Sequence, residues 1–397
     1  MPRALWLLII GMAVNVTGSS FLWPLNTIYI HDHLGKSLTI AGVVLMLNAG
    51  ATVIGNLFGG ALFDKIGGYK SILLGIWVTL LALIGLTIWH GWPAYVIFLT
   101  ITGFGTGIVF PAMFAMAGTV WKEGGRKAFN AIYVAQNLGV AVGASLGGFV
   151  ADYSFQFIFL ANTIMYVIFF IIAVFGYRNI STGPTKQAKA KDQVIIKNRK
   201  NLQALLILCA GYSLCWVAYV QWTTTISSYT QEINISLTQY SFLWTINGAL
   251  IVLGQPILNR VLKHLSASLK VQILIGIGFF IVSFLIVGKV TVFTGFLVAM
   301  IILTIGEMFI WPAVPTVAFE LAPKGREGFY QGIVNSTATG GRMVGPLLGG
   351  VLVDLYSMSA LFLVLIGLFI IAIVTTILYD RILKSRKELV DINLPVS

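Results

Sequence analysis

Apolar residues run along this chain in long unbroken blocks, not in the alternation of a half-buried strand or the single stripe of a surface helix. A helix needs about 20 consecutive apolar residues to cross the hydrocarbon core of a bilayer. Twelve stretches reach that length, at 4–30, 38–63, 71–89, 94–121, 128–152, 155–177, 202–228, 238–261, 269–288, 292–319, 328–355 and 359–379. Mostly short polar loops separate them. The pattern predicts an all-α membrane protein of twelve transmembrane helices. The first block follows Arg3 and runs to Ile30, longer than the apolar core of a secretory signal and without a small-x-small cleavage site, so an uncleaved first span is expected.

Composition agrees with a lipid solvent: of 397 residues, 58% are hydrophobic and only 10% charged, with a mean hydropathy of +0.92. The net charge of +12 would suggest a nucleic-acid partner if it covered a soluble face. Instead, 22 of the 25 lysines and arginines fall in loops on one side of the predicted spans, against Lys36 and Lys289 on the other, with Arg342 inside a span. The positive-inside rule then places both termini in the cytoplasm of a multi-pass cell-membrane protein, and no nucleic-acid partner is expected. The basic loop at 178–201 reads as a solvated linker touching anionic headgroups. Cys209 and Cys215, six residues apart in one apolar block, read as packing residues.

The two halves repeat. Gly139, Gly143, Gly147, Gly148 and Asp152 recur 202 positions later as Gly341, Gly345, Gly349, Gly350 and Asp354. Phe110, Pro111 and Ala112 recur 201 later as Trp311, Pro312 and Ala313, and Asn48, Gly55 and Asn56 recur 199 later as Asn247, Gly254 and Gln255. Six spans per half is an even number, so both halves enter the membrane from the same side. The expected organisation is a bundle at 1–177, the linker at 178–201, a second bundle at 202–380 and a cytoplasmic tail at 381–397, the bundles related by a pseudo-twofold axis along the membrane normal.

Four signatures carry a resemblance. Gly60, Asp64, Lys65, Gly67 and Lys70 stand between spans two and three, where Gly60 permits close helix approach, Asp64 can meet a helix N-terminus and Gly67 permits a tight turn. Gly139, Gly143, Gly147 and Gly148 line span five, with Ala144 beside them, and Gly345, Pro346, Gly349 and Gly350 line span eleven. Gly306 and Glu307 open a segment of span ten that runs to Pro312, and span four lacks an arginine near Gly103. The chain thereby resembles a twelve-span member of the major facilitator superfamily, closest to its drug:proton antiporter branch. The resemblance implies that the loop at 60–70 latches a cytoplasmic gate and that the glycine faces form a hinge surface between halves. Gly68 replaces a basic residue of the family loop, and the missing span-four arginine removes one proton-relay element.

Glu307 is the one acidic residue that falls near mid-span, and Arg342 lies midway along span eleven. A charge at that depth costs about 3 kcal/mol or more, so both should face a cavity or each other. One reading makes them a permanent salt bridge; the preferred one makes Glu307 a proton acceptor whose affinity changes as Arg342 moves. Substrate contacts are expected from spans one, four, seven and ten, by the resemblance and by their polar and aromatic content: Asn15, Trp23 and Asn26, then Phe110, then Trp216, Tyr219, Gln221 and Trp222, then Trp311. Such a cavity suits amphipathic organic molecules, cations included, and Pro24, Pro111, Pro312 and Pro315 supply kinks.

The expected function is proton-coupled export of amphipathic compounds by alternating access. Proton symport of a metabolite, or lipid or glycolipid flipping, uses the same fold. The sequence has neither a His-Glu-x-x-His motif nor a nucleotide-binding loop. No enzymatic activity, catalytic residue, cofactor or metal is therefore expected, the energy source being the proton gradient. His31, Asp32 and His33 read as a solvated outer loop rather than a metal site. The expected partners are a small-molecule substrate, protons and the bilayer, with the monomer functional.

Overall fold

The computed structural model describes residues 1–22, 25–180, 193–265 and 267–392. Among the described residues the chain is all-α, and twelve of its helices are long. We number them α1 Arg3–Leu22, α2 Leu38–Ile66, α3 Gly68–Ile88, α4 Ala94–Val120, α5 Arg126–Tyr153, α6 Phe155–Gly176, α7 Gln193–Tyr219, α8 Leu237–Leu265, α9 Leu269–Val287, α10 Phe293–Leu321, α11 Glu327–Leu355 and α12 Met358–Ile392. Ten helical segments among the described residues are long and apolar enough to cross a bilayer. The two long helices outside that set are α5 and α11, which carry the repeated glycines together with many polar residues.

Two helices depart from the predicted spans. The first predicted span comprises α1, Arg3–Leu22, with the helical turns Asn26–Ile28 and Tyr29–His33, and Arg3–His33 together are long and apolar enough to cross a bilayer. The block 202–228 breaks after Tyr219 into a 3-10 turn, Val220–Thr223, followed by a short helix, Thr225–Glu232. In the other direction, α7 begins at Gln193, inside the stretch read as linker, and α12 continues to Ile392, into the stretch read as tail. Hydropathy marks where a helix meets lipid. It is silent on polar turns that continue the same helix into water, and on polar side chains that break a helix inside an apolar block.

The chain divides into two compact units, Met1–Thr185 with Gly325–Gly340, and Lys186–Lys324 with Gly341–Ser397. Within the first, α1 packs on α5 and α6, α4 packs on α2 and α3, and α3 packs on α6. Within the second, α7 packs on α12, α10 packs on α8 and α9, and α9 packs on α12. The glycines permit the closest approaches. A Cβ on Gly139 would sit 2.7 Å from the Ala13 carbonyl, one on Gly147 3.1 Å from that of Phe21, and one on Gly143 would strike that of Thr17. The second unit repeats this with Gly341 at 2.7 Å from the Ser213 carbonyl and Gly345 at 2.9 Å from that of Val217. The glycine faces expected to form a hinge between halves are thus occupied, within each unit, by α1 and α7. Small residues every four positions let two backbones touch, and the first and seventh helices take that surface.

Candidate functional site: a carboxyl and a guanidinium around an aromatic cluster

Glu307 lies midway along α10 and is 2% exposed. A buried carboxylate must be hydrogen-bonded to be tolerated. Asn247 of α8 donates its Nδ2 to Glu307 Oε1 at 2.7 Å and to Thr304 Oγ1 at 2.9 Å, while Thr304 donates to the Met300 carbonyl at 2.7 Å. The Tyr219 hydroxyl, from the last turn of α7, is a further hydrogen-bond partner of the carboxyl. Three helices therefore converge on this one acid.

Tyr219 also belongs to an aromatic cluster. Trp216 and Trp311 stack face to face, 4.2 Å between ring centroids and 8° from parallel. Tyr219 stands edge-on to both, at 5.5 Å and 5.6 Å. Tyr212 closes the other side at 5.4 Å from Trp311, Phe280 backs Trp311 at 5.6 Å, and Trp244 meets Tyr219 at 6.2 Å. The helical spacing of 212, 216 and 219 puts all three α7 residues on one face. Arg342 of α11 completes the stack, its guanidinium carbon 4.8 Å from the centroid of Trp216. Unlike Glu307, Arg342 is exposed. The cluster thus has a withdrawn acid against Tyr219 and an accessible cation on Trp216.

The remaining predicted contacts have other surroundings. Trp222 is fully buried, edge-on to Phe284 and Phe296, with its carbonyl accepting from the Tyr240 hydroxyl. Gln221 is fully buried as well: its Nε2 donates to the Val217 carbonyl at 3.0 Å and the Gly345 carbonyl at 2.7 Å, and its Oε1 accepts from Thr225 at 2.8 Å. It ties the broken end of α7 to α11 beside Pro346, which lies inside that helix. In the first unit, Asn26 accepts from the Tyr95 hydroxyl at 2.7 Å, Phe110 is half-buried, and Asn15 is fully buried with neither amide atom hydrogen-bonded. Trp23 lies outside the described residues. Asn247, Thr304, Tyr212, Phe280 and Trp244 were not anticipated. Asn247 had a signal, its recurrence from Asn48, to which the sequence assigned no role.

The loop at 60–70 has its own geometry, within the first unit. Asp64 accepts from the backbone N–H of Gly328 at 2.8 Å and of Phe329 at 2.9 Å, at the N-terminal end of α11. That is where a helix presents unsatisfied donors and the positive end of its dipole. A Cβ on Gly60 would strike the Gly328 carbonyl, so only glycine permits this approach. Ser336 extends the contact by donating to the Val53 carbonyl at 3.0 Å. Gly67 adopts φ 85°, a left-handed conformation suited to glycine, and Lys65 and Lys70 are exposed. The stretch read as an outer loop is the helical turn Tyr29–His33, where His31 Nδ1 is 2.8 Å from the Lys36 carbonyl and the His33 ring packs on Phe155 at 4.3 Å.

The sequence model of the Major Facilitator Superfamily matches residues 8–263 and 223–391, which together reach almost from end to end. The chain belongs to that superfamily. Among its relatives is the protein described as "Uncharacterized MFS-type transporter YttB" of Bacillus subtilis (strain 168), 64% identical over 388 residues, 98% of each chain. The quinolone resistance protein NorA of Staphylococcus aureus (strain MSSA476) is 23% identical over 394 residues, covering 98% of this chain and 99% of that one. Solved structures share the fold: a bacterial homologue of the iron transporter ferroportin in an outward-facing state has a TM-score of 0.81 at 14% identity, covering 96% of this chain and 100% of that one. The human organic anion transporter MFSD10 has a TM-score of 0.74 at 14% identity, covering 95% and 100%. The chain is therefore a membrane transporter of the major facilitator fold, a family that carries small molecules, and not an enzyme.

Proposed function

We propose that this transporter is proton-coupled and exports amphipathic organic compounds by alternating access across the cell membrane, acting as a monomer with both termini in the cytoplasm. The observation that carries the reading is Glu307, a carboxyl at the middle of a membrane helix, withdrawn from water and held against an aromatic cluster by Asn247 and Tyr219. An acid there has few roles other than to exchange a proton, because a permanent charge at that depth is costly and a permanently neutral one is better replaced by an apolar group. Arg342, separated from Glu307 by the rings of Trp216 and Tyr219, is the charge whose displacement would bias that exchange. Export is favoured by the glycine-rich α5 and by the kinship to NorA, a resistance protein.

The test is transport into proteoliposomes under an imposed pH gradient, with a panel of lipophilic dyes set against sugars, amino acids and lipids. Uphill dye movement by the parent and none by Glu307→Gln is the expected result. Uphill transport by the variant equal to that of the parent would falsify the assignment of Glu307, and movement of substrate in the same direction as the protons would favour symport over export.

A further inference from the structure

The second unit holds a cavity of about 360 Å³ that shares no residue with the aromatic cluster. It lies between the short helix Thr225–Glu232, the C-terminal end of α11 and the start of α12, and Glu232 and Asp354 each bring a carboxylate to its wall. No lysine, arginine or histidine lines it. Both acids are exposed, and among the described residues neither has an ion pair or a hydrogen bond.

Both acids also stand where a helix disfavours them. Glu232 is the last residue of its helix and Asp354 the last but one of α11, and a helix C-terminus carries free carbonyls and the negative end of the dipole. Neither last turn contains a basic residue. The hydroxyls of the wall supply nothing positive either. Thr224 donates its proton to the Val220 carbonyl at 3.1 Å, Thr225 to Gln221 Oε1 at 2.8 Å, and Ser228 to the Thr224 carbonyl at 3.4 Å. With those protons committed, the three oxygens turn only lone pairs toward a ligand. A wall of acceptors with two carboxylates that no base neutralises calls for a cation.

We propose that this cavity binds one hydrated divalent metal cation, Mg²⁺ by preference, between Glu232 and Asp354. Ligand count and size decide the form of the ion. A dehydrated Ca²⁺ needs about six or more oxygens from the protein, and among the described residues no three His, Cys, Asp or Glu side chains come together. Mg²⁺ gives up water reluctantly, keeps several molecules and is held by one or two carboxylates. Its waters are donors, which is what the hydroxyl oxygens lack. At about 30 Å³ for each water, the cavity has room for the hydrated ion. Such an ion ties the short helix beyond the break in α7 to the end of α11, and in the orientation proposed above it is supplied from outside the cell. The inference stands whether or not Glu307 exchanges protons.

Mn²⁺, a paramagnetic stand-in for Mg²⁺, tests this on the purified full chain in a neutral detergent. Loss of the free-ion resonance signal during titration is expected to show one saturable site per chain, emptied by Mg²⁺ but not by NaCl of equal ionic strength. Proton couplings of the bound ion should show that it retains water. Glu232→Gln and Asp354→Asn should each weaken binding by roughly tenfold or more, and the double variant should abolish it. Mg²⁺ should also raise the melting temperature of the parent and not that of the double variant. The absence of saturable binding, or displacement by NaCl, overturns the proposal however the variants behave. Undiminished binding by a folded double variant overturns it as well, as does a bound ion stripped of its waters. If 1,4-diaminobutane displaces Mn²⁺ as well as Mg²⁺ does, the cavity is an ammonium site and the metal assignment fails.

Discussion

The two units are built to the same packing plan. In the first, the glycines of α5 admit the backbone of α1; in the second, those of α11 admit the backbone of α7, with the same spacing and nearly the same approach. At matching places their chemistry diverges. The α10 position of Glu307 is held in α4 by Thr106, whose hydroxyl bonds the Thr102 carbonyl one turn back. Gly139 faces Val16 where Gly341 faces Trp216, so the stacked indole has an aliphatic counterpart, and Arg342 has Val140. Asn48 shows the divergence most clearly. It donates to the Leu99 carbonyl at 3.1 Å, whereas its repeat, Asn247, donates to the Glu307 carboxyl. Duplication preserved the scaffold in both units, and the charge at mid-membrane depth was placed on only one.

That contrast can be broken or sharpened by experiment. The largest effect is expected from Glu307→Gln, which should reduce proton-driven transport to background while the purified protein keeps its melting temperature. Loss of melting temperature would instead make the acid structural. Next come matched glycine substitutions, Gly143→Val and Gly345→Val, each forcing a side chain into a facing carbonyl. Both should destabilise by about 1–3 kcal/mol, read as a lower melting temperature in detergent. Equal losses would support the shared plan, and a loss in only one unit would count against it.

Asp64→Ala removes the acceptor for two N–H groups at the end of α11. A loss of about 1–2 kcal/mol is expected, with Asp64→Asn milder because it keeps one acceptor. Smallest in stability and most informative is the pair Asn48→Leu and Asn247→Leu. Each should cost about 1 kcal/mol, yet only the second should also depress proton-driven transport. Equal transport losses would mean the two amides share a purely structural role.

The twelve long helices were legible in the sequence because lipid imposes a simple demand: about 20 apolar residues per crossing, whatever lies next to them. Glu307 and Arg342 were legible for the same reason, as charges where charge is expensive. Helix ends were read less well. The break after Tyr219 and the continuation of α12 to Ile392 depend on local hydrogen bonding and on polar helix that hydropathy does not register. Aromatics were the hardest to sort. Trp216 and Trp222 lie in the same apolar block, yet one stacks beneath Arg342 and the other is buried among phenylalanines.

By itself, then, the sequence determined that the chain lives in a bilayer, that it is duplicated and that one acid and one arginine sit at mid-membrane depth. Only the tertiary structure decided that Asn247 and Tyr219 hold the acid, that Arg342 rests on Trp216, and that the glycine faces serve contacts inside each unit. Depth along a helix follows from counting residues, since the bilayer fixes the thickness. Facing does not, because which side chain meets which is set by how neighbouring helices pack around it.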